Sequence, residues 1–102
     1  MSIKGIAHIA GIFEHPTRKA EDLSVAQLHG EVAAGALADA GIDKDMVDGY
    51  FCAGDVPGLG ALSMADYMGL SLRDMDTTET GGSSYLVHVS HAAQAIAAGK
   101  CS

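Results

Sequence analysis

Between Thr80 and Gly99 the chain carries no Asp, Glu, Lys or Arg, and the stretch opens with Gly81-Gly82-Ser83-Ser84 before continuing as an apolar pattern of helical period. A helix that is apolar around most of its circumference has to be covered on most sides. In a chain of 102 residues that demand is severe, because so small a domain buries only a modest share of its surface. Either other chains supply the cover, or the sequence is part of a larger fold. The glycine-led start of such a helix is also a natural place for chemistry, since the first amides of a helix point outward unpaired.

Charge narrows the partners. A net charge of -7, with Lys4, Arg18, Lys19, Lys44, Arg73 and Lys100 scattered along the chain, argues against a binder of phosphate backbones, which needs clustered cations. No basic, apolar-cored signal peptide opens the sequence, and its apolar runs are interrupted by His, Ser, Gln and Gly before membrane-spanning length. The expectation is a soluble cytoplasmic protein with no nucleic-acid or membrane partner. Cys52 and Cys101 lack CxxC spacing and a secretory context, so they read as buried free thiols in preference to a disulfide.

The organisation is an alternation of strands and helices. Ile3 to Ile12 is a β-rich apolar run of the kind buried on both faces, and it ends in the polar loop Glu14-His15-Pro16-Thr17-Arg18-Lys19. Ser24 with Gln27 fits a capping box, and Val25, Leu28, Val32, Ala36 and Ala40 recur at helical spacing until Gly41 supplies a left-handed cap. After the turn Asp43-Lys44-Asp45, Gly49 to Ala53 reads as a second strand that opens into the loop Gly54 to Gly60. Ala61 to Met68 predicts a short helix stopped by Gly69, Arg73 to Thr77 a third strand, and Ser84 to Ala98 a final helix closed by Gly99. This order predicts an α/β layer with largely parallel strands and right-handed crossovers. Lys100-Cys101-Ser102 then reads as the first residues of another strand, so the sequence looks cut in mid-fold.

Several side chains invite two readings. Gly81-Gly82 followed by Ser83-Ser84 is by itself a plain helix start, with glycines for the turn and a serine as N-cap. His88 and His91 share one helical face at metal-binding spacing, but no Glu, Asp or Cys stands at a matching helical position, so buried and satisfied imidazoles are expected, as for His8. The loop Gly54 to Gly60 lacks the Gly-Lys-Ser/Thr ending of a phosphate-binding loop. Asp74, Asp76 and Glu79 form either a carboxylate group for acid–base or metal chemistry, or a solvated strand end with Glu79 beside a helix N-terminus. Met64 and Met68, four apart, read as helix packing.

Taken in order, the first strand, Glu14-His15-Pro16, Ser24-Val25-Ala26-Gln27-Leu28-His29, Val47-Asp48-Gly49, Phe51-Cys52-Ala53-Gly54-Asp55 and Gly81-Gly82-Ser83-Ser84 resemble the N-terminal quarter of thiolase-superfamily proteins. The resemblance covers essentially the whole chain and is closest to the acetyl-CoA acetyltransferase-like and sterol-carrier-type branch. It implies a layered α-β-α-β-α fold of two similar halves, of which residues 1–102 supply an N-terminal portion, and a homodimer as the minimal unit. It also implies an acyl-CoA substrate, with coenzyme A entering as part of the substrate, no tightly bound cofactor and no metal.

Catalytic members of that family hold a nucleophilic cysteine at the start of the helix corresponding to Ser84 to Ala98. The helix end lowers a thiol's pKa toward the reactive thiolate. Counting back from Ile96-Ala97-Ala98-Gly99, which resembles the family's I-x-x-G ending, puts Gly82 at the cysteine's place. A one-residue slip gives Ser83, whose hydroxyl needs a strong base. Superfamily members without the cysteine cleave acyl-CoA side chains, such as those of steroids, by retro-aldol chemistry, usually with a small partner carrying a zinc ribbon and an OB-fold. By that resemblance Gly81, Gly82, Ser83 and Ser84 are the candidate site residues, shaping a pocket and offering amide donors to a developing oxyanion. Acyl transfer by a thiolase and a noncatalytic thiolase-like subunit are the alternatives.

Overall fold

Capping chemistry sets the first helix. In the computed structural model, which describes residues 2–54 and 60–102, α1 spans Val25–Ala40. The Ser24 hydroxyl accepts the Gln27 amide at 3.0 Å, and Gly41 closes the far end at φ 69°. Each cap satisfies backbone groups that the helix leaves unpaired, using residues within one turn, so the boundaries match those expected from sequence. A single tight turn, Lys44–Met46, leads into β1, Gly49–Cys52. Then come α2 (Ala61–Met68), β2 (Asp74–Thr77) and α3 (Ser84–Ala97). Most of the expected loop Gly54 to Gly60 falls on 55–59, outside the described residues.

β1 and β2 pair in parallel, from Gly49 opposite Asp74 to Cys52 opposite Thr77. A parallel pair needs a crossover, and α2 lies in that connection and packs on both strands. Successive side chains of a strand point to opposite faces. Tyr50 accordingly lines a groove with Ala33, Leu37, Tyr67 and Met68 of α1 and α2, while Phe51 lines a cleft with His91 and Gln94 of α3. The result is a small mixed α/β unit in which helices flank a two-stranded parallel sheet on both faces.

The core is built from small side chains. Met64 is fully buried, and Cys52, Ala61, Ala65, Ala93, Ala95 and Cys101 are buried too. Met68, by contrast, is half-buried. The larger apolar side chains lie outside this core: Ile9, Ile12 and Leu86 are 74%, 75% and 76% exposed, and Tyr85 is 68% exposed. α3 thus buries one narrow strip; Val87, Ala92 and Ile96 are half-buried, and Tyr85, Leu86 and Val89 are exposed.

The expected first strand, Ile3 to Ile12, is not formed. No strand is assigned there, the sheet contains β1 and β2 among the described residues, and His8, expected to be buried, is exposed. Apolar β-branched residues favour a pleated, half-buried surface, but a strand also needs a partner's backbone, and this run pairs with neither strand. It docks instead at its end. The Ile12 amide donates to the Asp39 carboxylate at 2.9 Å. Gly11 lies so close to α1 that a Cβ on it would collide with the Ala36 carbonyl oxygen and sit 2.8 Å from the Ala40 amide nitrogen.

Backbone atoms of a helix cannot step aside, so Gly11→Ala is expected to lift residues 11–13 off α1. The expected cost is about 1–3 kcal/mol in urea unfolding, with loss of hydrogen-exchange protection at the Ile12 amide. A variant with unchanged unfolding midpoint and unchanged Ile12 protection would show that this approach does not hold the segment.

Candidate functional site

The loop that begins α3 is organised from within by Ser84. Its side chain is fully buried, and its Oγ accepts the Thr80 amide at 2.7 Å and faces the Gly81 carbonyl oxygen at 2.7 Å and Glu79 Oε1 at 3.2 Å. The turn itself is made by Gly81 at φ 80°, a conformation costly for any residue with a Cβ. Glu79 Oε1 also accepts the Gly81 amide at 2.8 Å, placing a carboxylate against the positive end of the helix. Two amides of the loop are thereby committed: Gly81 to Glu79, and Ser84 to the Gly81 carbonyl at 3.0 Å.

Neither serine caps α3 as the sequence suggests. Ser83 occupies the N-cap position but has helical dihedrals and makes no side-chain capping bond; its hydroxyl donates to the Thr80 carbonyl at 3.4 Å. The reason is steric: Gly81 turns the chain early, so Ser83 already follows the helix and the Ser84 hydroxyl points back into the loop. Gly82 stands in the open. A Cβ built there meets nothing within 4 Å, and its φ is not in the left-handed region.

The titratable side chains sort into two groups. Glu79 belongs to the loop. Asp74 and Asp76 lie on the face of β2 that meets α3, and both line the cleft shared with His91. Thr78 Oγ1 donates to Asp76 Oδ2 at 2.8 Å, and His91 Nδ1 lies 2.5 Å from the same oxygen. Those bonds, the Thr78 bond first, hold the Asp76 carboxyl below its ordinary range. His88 is buried and satisfied as expected: its Nε2 lies 2.9 Å from the Thr78 carbonyl, which can only accept, so that nitrogen carries the proton. His91 differs from expectation in being partly exposed, with a carboxylate partner from β2 that helical spacing alone does not reveal.

Both thiols are free and buried. Burial pushes the Cys52 thiol up, and burial with the nearby Asp48 carboxylate does the same for Cys101. Tyr50, beside Cys52, is pushed up to about 12, chiefly by burial. None of these groups is poised as an anionic nucleophile near neutral pH.

Two variants probe this geometry. Ser84→Ala removes the hydroxyl that serves the Thr80 amide and is expected to cost about 1–3 kcal/mol in urea unfolding, the cost of leaving a buried polar group unpaired; a loss well below that would mean water replaces the hydroxyl. Asp76 favours its charged form in the folded chain, so its contribution is complete above the ordinary carboxylate pKa of about 3.9 and disappears as pH falls through the lowered folded value. Asp76→Asn should therefore flatten the fall of the thermal midpoint on acidification from neutral pH to below about pH 3; an identical fall in both proteins would assign acid sensitivity to other groups. Compared with known proteins, the chain matches no protein-family model and no curated protein.

Proposed function

We propose that this chain forms the N-terminal portion of a thiolase-like protein with the layered α-β-α-β-α fold, a homodimer that acts on acyl-CoA thioesters by retro-aldol carbon–carbon cleavage. The observation that carries the reading is Gly82: it stands at the head of α3, where the resemblance places a nucleophilic cysteine, and it lies in open space. The absence of a thiol there closes the acyl-enzyme route, and burial of Cys52 and Cys101 leaves neither as a substitute. The uncovered apolar face carrying Tyr85, Leu86 and Val89 supports a larger assembly in which α3 is an interior helix.

In the proposed reaction a base removes the proton of a β-hydroxyl group, the bond between the α and β carbons breaks, and a carbonyl compound leaves. The electron pair passes into the thioester enolate, which is then protonated at carbon. Amide donors of the glycine loop would stabilise the developing oxyanion. With Gly81 and Ser84 committed inside the loop, that role falls to Gly82 and Ser83. Steroid side chains and a zinc-ribbon/OB-fold partner belong to the same proposal.

Incubating the protein that carries this chain with a β-hydroxyacyl-CoA should release a carbonyl product and a shortened acyl-CoA, with no acyl group attached to residues 80–102, as read by mass spectrometry. An acetyl adduct from acetyl-CoA on Ser83, Cys52 or Cys101 would instead establish acyl transfer. Acyl-CoA binding without turnover, with the partner protein present, would establish a noncatalytic subunit.

A further inference from the structure

Asp76 and His91 meet away from the glycine loop, on the cleft between β2 and α3, which measures about 430 Å³ and is also lined by Phe51, Gln94 and Lys100. That volume lies within the range of small-molecule sites. A carboxylate against Nδ1 holds the imidazole proton on that nitrogen and leaves the Nε2 lone pair free. The His91 side chain is 39% exposed, and its Nε2 has no hydrogen-bond partner among the described residues and is not buried. Thr78 Oγ1 donates to the same carboxylate oxygen at 2.8 Å. A base oriented by a third group and open to a cleft is the arrangement that activates a nucleophile. Among the described residues no Ser, Thr or Cys lines the cleft, so the nucleophile it can activate is water.

We propose that this cleft is a hydrolytic site for small, neutral, activated acyl esters and thioesters, with His91 as general base and Asp76 as its positioning residue. Nε2 takes a proton from water as the water oxygen bonds to the acyl carbon. The C–O or C–S bond then breaks, and the imidazolium returns its proton to the departing alkoxide or thiolate. The products are a carboxylic acid and an alcohol or thiol. Gln94 and Lys100 bring N–H donors to the cleft for the carbonyl oxygen; the Gln94 amide gives one N–H to Ser90 Oγ at 3.0 Å and keeps a second. Asp74 and Asp76 disfavour an anionic acyl group, hence the neutral substrate. This activity uses none of the glycine-loop residues and is independent of the retro-aldol reading.

The test is hydrolysis of p-nitrophenyl acetate by the protein that carries this chain, followed at neutral pH against free imidazole at equal concentration. The chain should be faster by about tenfold or more, and His91→Gln should fall to the imidazole rate. His8→Gln, an exposed histidine outside the cleft, should keep the full rate. Asp76→Asn should lose about tenfold and also change the ¹⁵N signature of His91 away from the Nδ1-protonated tautomer, while Asp76→Glu restores part of both. A chain no faster than free imidazole overturns the proposal whether or not the variants fold. So does a His91→Gln variant with the wild-type rate, and an unchanged rate in Asp76→Asn removes the positioning role.

Discussion

The parallel pairing of Gly49–Cys52 with Asp74–Thr77 is the constraint on which the other positions depend. It puts Phe51 beside Asp76 and turns Asp74 and Asp76 toward α3. The chain leaves β2 through Thr78 and Glu79, turns at Gly81, and returns along the sheet as α3. The return is visible in two contacts: His88 reaches the Thr78 carbonyl, and His91, three residues further on, reaches Asp76, two residues further back. Two strand residues advance about 6.6 Å and three helical residues about 4.5 Å, so contacts at both points require α3 to run back along β2. His91 is held by a side chain of β2, and His88 by the backbone of the residue that follows the strand.

Packing explains why this arrangement is lean. The buried residues of α3 and α2 are mostly alanines, with Met64 the largest, which lets the helices approach a sheet of two strands closely but removes little apolar surface from water. Arg73 and Asp48 tie the ends together: the Arg73 guanidinium donates to the Gly99 carbonyl at 3.3 Å, near the negative end of α3, and Asp48 accepts the Ser102 amide at 3.0 Å. These are exposed contacts and contribute modestly. The apolar side chains with the most to gain from burial, Ile9, Ile12, Tyr85 and Leu86, lie outside the core. A lean core beside a wide uncovered face is what a helix without charges leads one to expect in so short a chain.

What was legible in the sequence was chemistry that acts within one or two turns. The caps at Ser24 and Gly41, the stop at Gly69 and the strands at Gly49 and Asp74 follow from residues adjacent to them. The apolar run from Ile3 to Ile12 carried a sound propensity, yet strand formation depends on a distant backbone edge, which no local pattern specifies. The loop serines show the same limit on a smaller scale. Capping preference identifies Ser83 or Ser84 as a helix start, but the turn at Gly81 decides that Ser84 faces inward as a hub. The Asp76–His91 contact joins residues 15 apart from different elements, and only the packing of α3 on the sheet makes it.

The position of Glu79 bears on what the glycine loop is suited to do. A helix end that activates a thiol works by presenting uncompensated positive potential to a thiolate. Here a carboxylate accepts the Gly81 amide at 2.8 Å and lies 3.2 Å from the Ser84 hydroxyl, so a negative charge already sits at the helix end. A second full charge at Gly82 would be opposed by it, whereas the diffuse charge of an enolate, shared between oxygen and carbon, would be opposed less. The electrostatics of the loop therefore suit the proposed enolate chemistry better than a thiolate nucleophile. In the proposed function, which uses no thiolate, a strongly positive helix end has no role, and Glu79 is placed where it offsets one.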